Sequence, residues 1–255
     1  MDPSAGAGLL RDVMTLASLG ISPMAVPVAE TIQNGSACSF IDGPSCSPLL
    51  RLESLRGHLS GRWGLKLGMC ALADEELWNL VNMALDLHPF ACIWDPIQAP
   101  TAGVGLHDAG RLRRMAQILL PRGKWVVAPN RQEAALLAGL SRKGSATDDI
   151  SRLASPFLEL GADAVWIKGG HGEGDLIEDF WITPRGVASL GAFARLEGDR
   201  RGTGCSLASA WLAYRLLGHE PEPAAWRAVL WLRNQWPRAF APGGFGRPSF
   251  SPGRS

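Results

Sequence analysis

The chain has 255 residues, 46% of them hydrophobic and 19% charged, with a formal net charge of +1 at pH 7. That length fits one large α/β domain better than two small ones, and a near-neutral charge gives no electrostatic case for nucleic acid or a membrane surface as partner. Five cysteines (Cys38, Cys46, Cys70, Cys92, Cys205) lack metal-type spacing and are odd in number, no apolar run is long enough to span a membrane, and no signal peptide is visible, so a reducing cytoplasm is the expected location.

Apolar periodicity predicts a helix over 7–20 with Leu9, Leu10, Val13, Met14 and Leu16 on one face, then a strand over 24–31. A helix over 48–59, a strand over 63–70 and a helix over 74–88 capped by Asp74 follow. Next come a strand over 92–96, a helix over 108–120, a strand over 124–128 and a helix over 132–140. A helix over 149–160 feeds a strand over 164–168, and 181–183 pairs with 188–195 around Pro184-Arg185-Gly186. Helices over 205–217 and 222–239 close a single domain of residues 1–240, and 241–255 form a Pro/Gly/Ser-rich tail. Such alternation predicts an α/β fold with a mostly parallel sheet covered on both faces, whose ligands bind beyond the carboxyl ends of the strands.

The run Gly202-Thr203-Gly204-Cys205 opens the helix over 205–217. Two glycines let backbone N–H groups turn inward, and the positive end of the helix adds to them, which makes an anion site. The same helix end would favour a thiolate at Cys205. An ordinary turn that starts a core helix explains the run equally well.

Asp2-Pro3-Ser4-Ala5-Gly6-Ala7-Gly8 is a small-residue loop with Asp12 one turn into the helix after it. It reads either as a capped turn or as a close approach for a ligand. Trp94-Asp95-Pro96 puts a carboxylate at a strand end, and Asn130 and Glu133 lie on one side of a first helical turn. Asp95 and Glu133 together would suit Mg²⁺, which borrows one or two protein oxygens and the substrate's phosphates; helix capping accounts for Asn130 and Glu133 as well. Lys168-Gly169-Gly170 ends another strand with a cation and two flexible residues, suited to nucleotide phosphates or to plain solvation.

Taken in order, the Asp2 to Gly8 loop, Gln33-Asn34, Lys66-Leu67-Gly68-Met69, Asp95-Pro96, Pro129-Asn130 with Glu133-Ala134, Lys168-Gly169-Gly170-His171 and Gly202-Thr203-Gly204-Cys205 span nearly the whole chain. The set resembles the hydroxymethylpyrimidine/phosphomethylpyrimidine kinases of thiamine biosynthesis, members of the ribokinase-like superfamily. Cys205 carries most of the distinction, because sugar kinases of that superfamily have Asp at this position.

The resemblance implies a three-layer α/β/α fold, ATP and Mg²⁺ as cofactors, a small pyrimidine as substrate, and a homodimer. It implies that Asp12 and Gln33 hold the aminopyrimidine with Met69 near the ring, and that Cys205 occupies the catalytic-base position. Gly202, Thr203 and Gly204 would form the anion hole, Asp95 and Glu133 would organise Mg²⁺, and Lys168, with Asn130 beside it, would contact ATP.

The chain departs from the family pattern at several positions. The family's first buried strand, which ends just before Asp-Pro-Ser, has no counterpart, so the expectation is a start assigned at an internal methionine with apolar codons upstream of Met1. Ala5 replaces a loop glycine, Ala128 a threonine and Ile97 a valine. Arg201 stands where histidine is frequent and could help hold a phosphorylated substrate, whereas the loop over 98–105 lacks a lysine often found there. A pyridoxal-type kinase on the same fold, or a non-catalytic pyrimidine-binding regulator, are the rival readings.

Overall fold

The computed structural model describes residues 5–33, 38–97, 108–140, 150–170, 174–240 and 249–250. Its elements are, in chain order, α1 (Gly8–Ser18), β1 (Glu30–Gln33), β2 (Cys38–Asp42), α2 (Pro48–Leu55), β3 (Gly64–Leu67), α3 (Asp74–Asp86), β4 (Ala91–Trp94), α4 (Ala109–Leu119) and β5 (Trp125–Val127). Then come α5 (Arg131–Leu137), α6 (Ile150–Glu159), β6 (Ala164–Ile167), β7 (Leu176–Thr183), β8 (Gly186–Ala194), α7 (Thr203–Leu216), α8 (Pro221–Gln235), β9 (Ala239–Phe240) and β10 (Ser249–Phe250).

Six strands form the central sheet in the order β3-β4-β5-β6-β7-β8. The first four run parallel, and β7 and β8 are antiparallel, an arrangement allowed by the tight turn at Pro184-Arg185. Every residue of β4, β5 and β6 is buried, which is why these strands read as continuous apolar runs without alternation. One face packs on α2 to α6 through Leu77, Val81, Leu112, Leu119 and Phe157. The other packs on α7 and α8 through Ala208, Trp211, Ala224 and Trp231. These are the three expected layers.

The central helix α7 buries every residue from Cys205 to Ala213. Its serines and alanines are short enough for close approach to the sheet and to α8. A helix buried all round in this way is internal.

Four local expectations are corrected. The stretch before residue 30 is not a strand; β1 covers Glu30–Gln33 only and pairs antiparallel with β2, a strand the periodicity did not show. The cap of α3 is Ala73, whose N–H donates to Glu76 Oε2 at 3.0 Å, with Asp74 as the first helical residue. The fully buried side of α1 carries Arg11 and Thr15 rather than its leucines. Within the predicted tail, Ser249–Phe250 pairs antiparallel with Ala239–Phe240.

The leucine face of α1 has a different neighbour. Among the described residues, β3 is the outermost strand of the sheet, with β4 as its one strand partner. A cavity of about 1610 Å³ runs along that edge, lined by Leu9, Val13 and Leu16 of α1, Leu52 of α2, and Gly64 and Leu65 of β3. Small-molecule pockets hold roughly 300–1,000 Å³. The cavity is therefore larger than one small ligand needs, and it reaches beyond the strand ends along β3.

Candidate active site

The upper end of the cavity lies at the carboxyl ends of β3 to β6, where five sequence-distant polar residues meet: Asp12, Lys66, Asp95, Lys168 and Cys205. Each arrives by a local rule. Lys66 and Asp95 stand at the ends of β3 and β4, and the Asp95 N–H donates to Leu67 O at 2.9 Å, continuing the ladder one step. Lys168 follows β6 and bridges to Asn130 after β5. Asp12 lies one turn into α1, and Cys205 is the third residue of α7.

Gly202 is the N-cap of α7, with φ at +73° in the left-handed region. A Cβ there would lie 2.3 Å from the Gly6 carbonyl oxygen, so only glycine lets the loop before α1 close onto the start of α7. Gly204 allows a second, milder approach: a Cβ there would lie 3.2 Å from Lys168 Nζ, so the ammonium would have to give by a few tenths of an ångström. Thus the glycines of the anion-site motif bring a loop and an ammonium group up to the end of a helix.

Two lysine–carboxylate pairs frame that end. Lys66 Nζ donates to Asp12 Oδ1, which also accepts from Ser209 Oγ at 2.9 Å. Burial works against the Lys66 ammonium, but the charges of Asp12 and Asp95 around it outweigh burial and lift its pKa to about 12. Lys168 Nζ donates to Asp95 Oδ1 at 2.6 Å. Burial again opposes the charge, and Asp95 and Glu133 overcome it, so the Lys168 pKa lies above its ordinary value. Both lysines are therefore fixed cations facing one cavity.

Cys205 corrects a sequence expectation. Burial pushes its thiol up from 9.0 to about 11, and the opposing pull of Lys66 does not compensate. At neutral pH it is a thiol rather than a thiolate. The helix N-terminus that suggested a lowered pKa is present; desolvation is the larger effect.

Asn130 and Glu133 cap α5 reciprocally: Glu133 N–H donates to Asn130 Oδ1 and Asn130 N–H to Glu133 Oε2, each at 2.8 Å. Both still line the cavity. Asp95 Oδ2 is buried with no hydrogen-bond partner. A carboxylate oxygen left bare fits a hard cation. No cluster of three or more His, Cys, Asp or Glu suited to a metal occurs among the described residues. The residues present thus fit a Mg²⁺ ion that brings most of its ligands with a phosphorylated substrate.

Met69 and Thr203 also line the cavity. Gln33 ends β1, but its side chain lies outside the described residues, as do Asn34, His171 and the whole loop over 98–105. Arg201 is 2% exposed and does not line the cavity, whereas Arg200 does. Lys66 was visible as a strand-end residue; its pairing with Asp12, 54 positions away, left no mark in local sequence.

The fold is widely shared. Pyridoxal kinase from Staphylococcus aureus, solved with AMP-PCP and pyridoxal, superposes with a TM-score of 0.81 over 98% of this chain and 90% of that one, at 25% identity. Phosphomethylpyrimidine kinase from Clostridium difficile superposes with a TM-score of 0.74 over 92% of this chain and 95% of that one, at 24% identity. The layers, the mixed sheet and the glycine-opened α7 define a kinase of the ribokinase-like fold. Within that class, the family model described as phosphomethylpyrimidine kinase matches residues 2–248, and the chain belongs to that family. The hydroxymethylpyrimidine/phosphomethylpyrimidine kinase of Synechococcus elongatus is 31% identical over 226 residues, 88% of this chain and 84% of that protein.

Proposed function

We propose that this chain transfers the γ-phosphoryl group of ATP to 4-amino-5-hydroxymethyl-2-methylpyrimidine and then to the resulting monophosphate, a step of thiamine biosynthesis. The observation that carries the reading is the convergence of the Asp12–Lys66 and Asp95–Lys168 pairs on Cys205 at the glycine-opened end of α7. Family membership supplies the substrate class.

In this reading Asp12, whose pKa burial raises against the pull of Lys66, accepts from the amino group of the pyrimidine, with Gln33 and Met69 around the ring. The hydroxymethyl group faces Cys205. The transferred phosphoryl group lies over the N–H groups at the start of α7, and Lys168 and Asn130 lie on the ATP side. Mg²⁺, held by the free oxygen of Asp95 with Glu133 behind it, would neutralise phosphate charge when bound. The alcohol oxygen bonds to the γ-phosphorus as the bond to the ADP oxygen breaks, and ADP leaves with that electron pair. Such transition states are loose, so positioning and charge stabilisation outweigh strong base catalysis. The two fixed lysines supply that charge, and the alcohol proton passes late to the thiolate fraction of Cys205.

That fraction grows tenfold per pH unit below about 11. Turnover is therefore expected to rise with pH above neutrality. Cys205→Ala should lower turnover about a hundredfold or more, flatten the rise, and leave pyrimidine binding intact. Near-normal turnover with an unchanged pH profile would remove Cys205 from the base position.

The likeness to a pyridoxal kinase, 25% identical, favours one second reading, a vitamin B6 kinase. ADP release with the hydroxymethylpyrimidine, its monophosphate and pyridoxal, each offered separately, decides between the two. Turnover of pyridoxal alone would overturn the pyrimidine reading.

A further inference from the structure

We propose that Asp179 is a positioning residue for nucleotide use: its carboxylate holds the Gly169 backbone and so fixes where the Lys168 ammonium stands. The inference rests on the reading of Lys168 as the ATP-side cation. Asp179 belongs to β7, outside every motif picked out in the sequence, and is 6% exposed. Its Oδ1 accepts the Gly169 N–H at 2.8 Å, and its Oδ2 accepts the Trp166 indole N–H at 2.9 Å. With a donor on each oxygen and almost no exposure, the carboxylate is oriented by the protein rather than held ready to turn toward a ligand.

Gly169 is pinned from a second side. A Cβ on it would lie 2.2 Å from the Glu178 carbonyl oxygen, so the turn after β6 presses directly on β7 and tolerates no side chain. One peptide bond away, the Lys168 N–H donates to Pro129 O at 2.9 Å and its ammonium reaches Asp95 Oδ1. On the other side, Gly170 O accepts from Arg195 Nη1 at 3.0 Å. The planar peptide between Lys168 and Gly169 transmits any displacement at Asp179 to the lysine.

Burying a carboxylate is costly, and burial does raise the Asp179 pKa against the pull of Gly169 and Trp166. An apolar residue would fill the volume without that cost. It could not grip the Gly169 N–H, and it is this grip that sets the turn.

The test compares KM for ATP, KM for the pyrimidine and kcat in Asp179→Asn, Asp179→Asn with Trp166→Phe, Gly169→Ala and Lys168→Met. In Asp179→Asn the amide can serve Gly169 only by turning its NH₂ onto the indole N–H, donor against donor. The expected result is an ATP KM raised about tenfold with the pyrimidine KM within about twofold. Trp166→Phe removes the opposing donor and should restore most of the ATP KM in the double variant. A lowered melting temperature with unchanged ATP KM, or no recovery in the double variant, overturns the inference. If Asp179→Asn does not fold, Gly169→Ala displaces the same turn without touching the carboxylate, and an unchanged ATP KM there overturns it too. Lys168→Met separates this inference from the reading beneath it. If Lys168→Met leaves the ATP KM unchanged, the ATP role of Lys168 falls. If Lys168→Met raises it and Asp179→Asn does not, the positioning role alone falls.

Discussion

Ala5 has a φ of +54°, in the left-handed region where a Cβ meets the backbone. An L-residue is held there at a cost of about 1–2 kcal/mol. It stays because its neighbours over-determine it: Arg11 Nη2 donates to Ala5 O at 2.7 Å, and the next residue, Gly6, packs against Gly202. Ala5→Gly removes the strain but gives the unfolded chain more freedom, which returns roughly 0.4–1 kcal/mol. The net expectation is a gain of about 0.5–1 kcal/mol, seen as a melting temperature raised by roughly 1–4 °C. A lower melting temperature would show that the loop does not impose this conformation. Cys205 is a second contest settled at the scale of one residue. A helix terminus contributes typically 0.3–1 kcal/mol, whereas a rise from 9.0 to about 11 corresponds to roughly 3 kcal/mol. Desolvation wins by magnitude.

At the scale of elements, the start of α7 is where sequence and site coincide most closely. Gly204→Ala puts a methyl 3.2 Å from Lys168 Nζ, so the ammonium must shift by a few tenths of an ångström. The change suits the helix by propensity, by up to about 1 kcal/mol, so stability should hold or rise while turnover falls, about tenfold or more. Equal loss of stability and activity would instead mean that the helix itself is disturbed. Elements like α7, β4 and β6 were legible because burial on all sides leaves a run of apolar and small residues. The β1–β2 hairpin was not, because Cys38–Asp42 carries neither alternation nor a run and gains its structure from its partner. The face of α1 was misread for a related reason: Arg11 and Thr15 are buried because that side meets α7, a contact between opposite ends of the chain that helical periodicity cannot encode. In the site, strand ends and glycines could be read from local rules, and the ordered motifs added roles. The pairing of Lys66 with Asp12 and the grip of Asp179 on Gly169 depend on which strands are neighbours, and that only the fold decides.

At the scale of the whole molecule, the open slot ties stability to the site. It runs between α1 and α2 along β3, and its upper end is the Asp12–Lys66 pair. Among the described residues β3 has a strand partner on one side only, an edge of the kind that proteins normally cover. Leu9, Val13 and Leu16 of α1 line it and are only partly buried, so they present apolar surface to the cavity. An apolar strand of about five residues, joined before Met1 and ending in glycine, would run parallel to β3 and enter the loop ahead of α1 in the sense that βαβ units require. Each buried large side chain contributes about 1.5–3 kcal/mol against about 1–2 kcal/mol per ordered residue, so the net gain is a few kcal/mol, or roughly 5–10 °C in melting temperature. The same extension fixes β3 and α1 on either side of Lys66 and Asp12, so the KM for the pyrimidine should fall while that for ATP, set at β6 and β7, changes little. An extension of equal length built from Ser and Lys serves as the control. If both extensions melt alike, or if the apolar one is clipped by protease as fast as the polar one, the slot does not receive a strand.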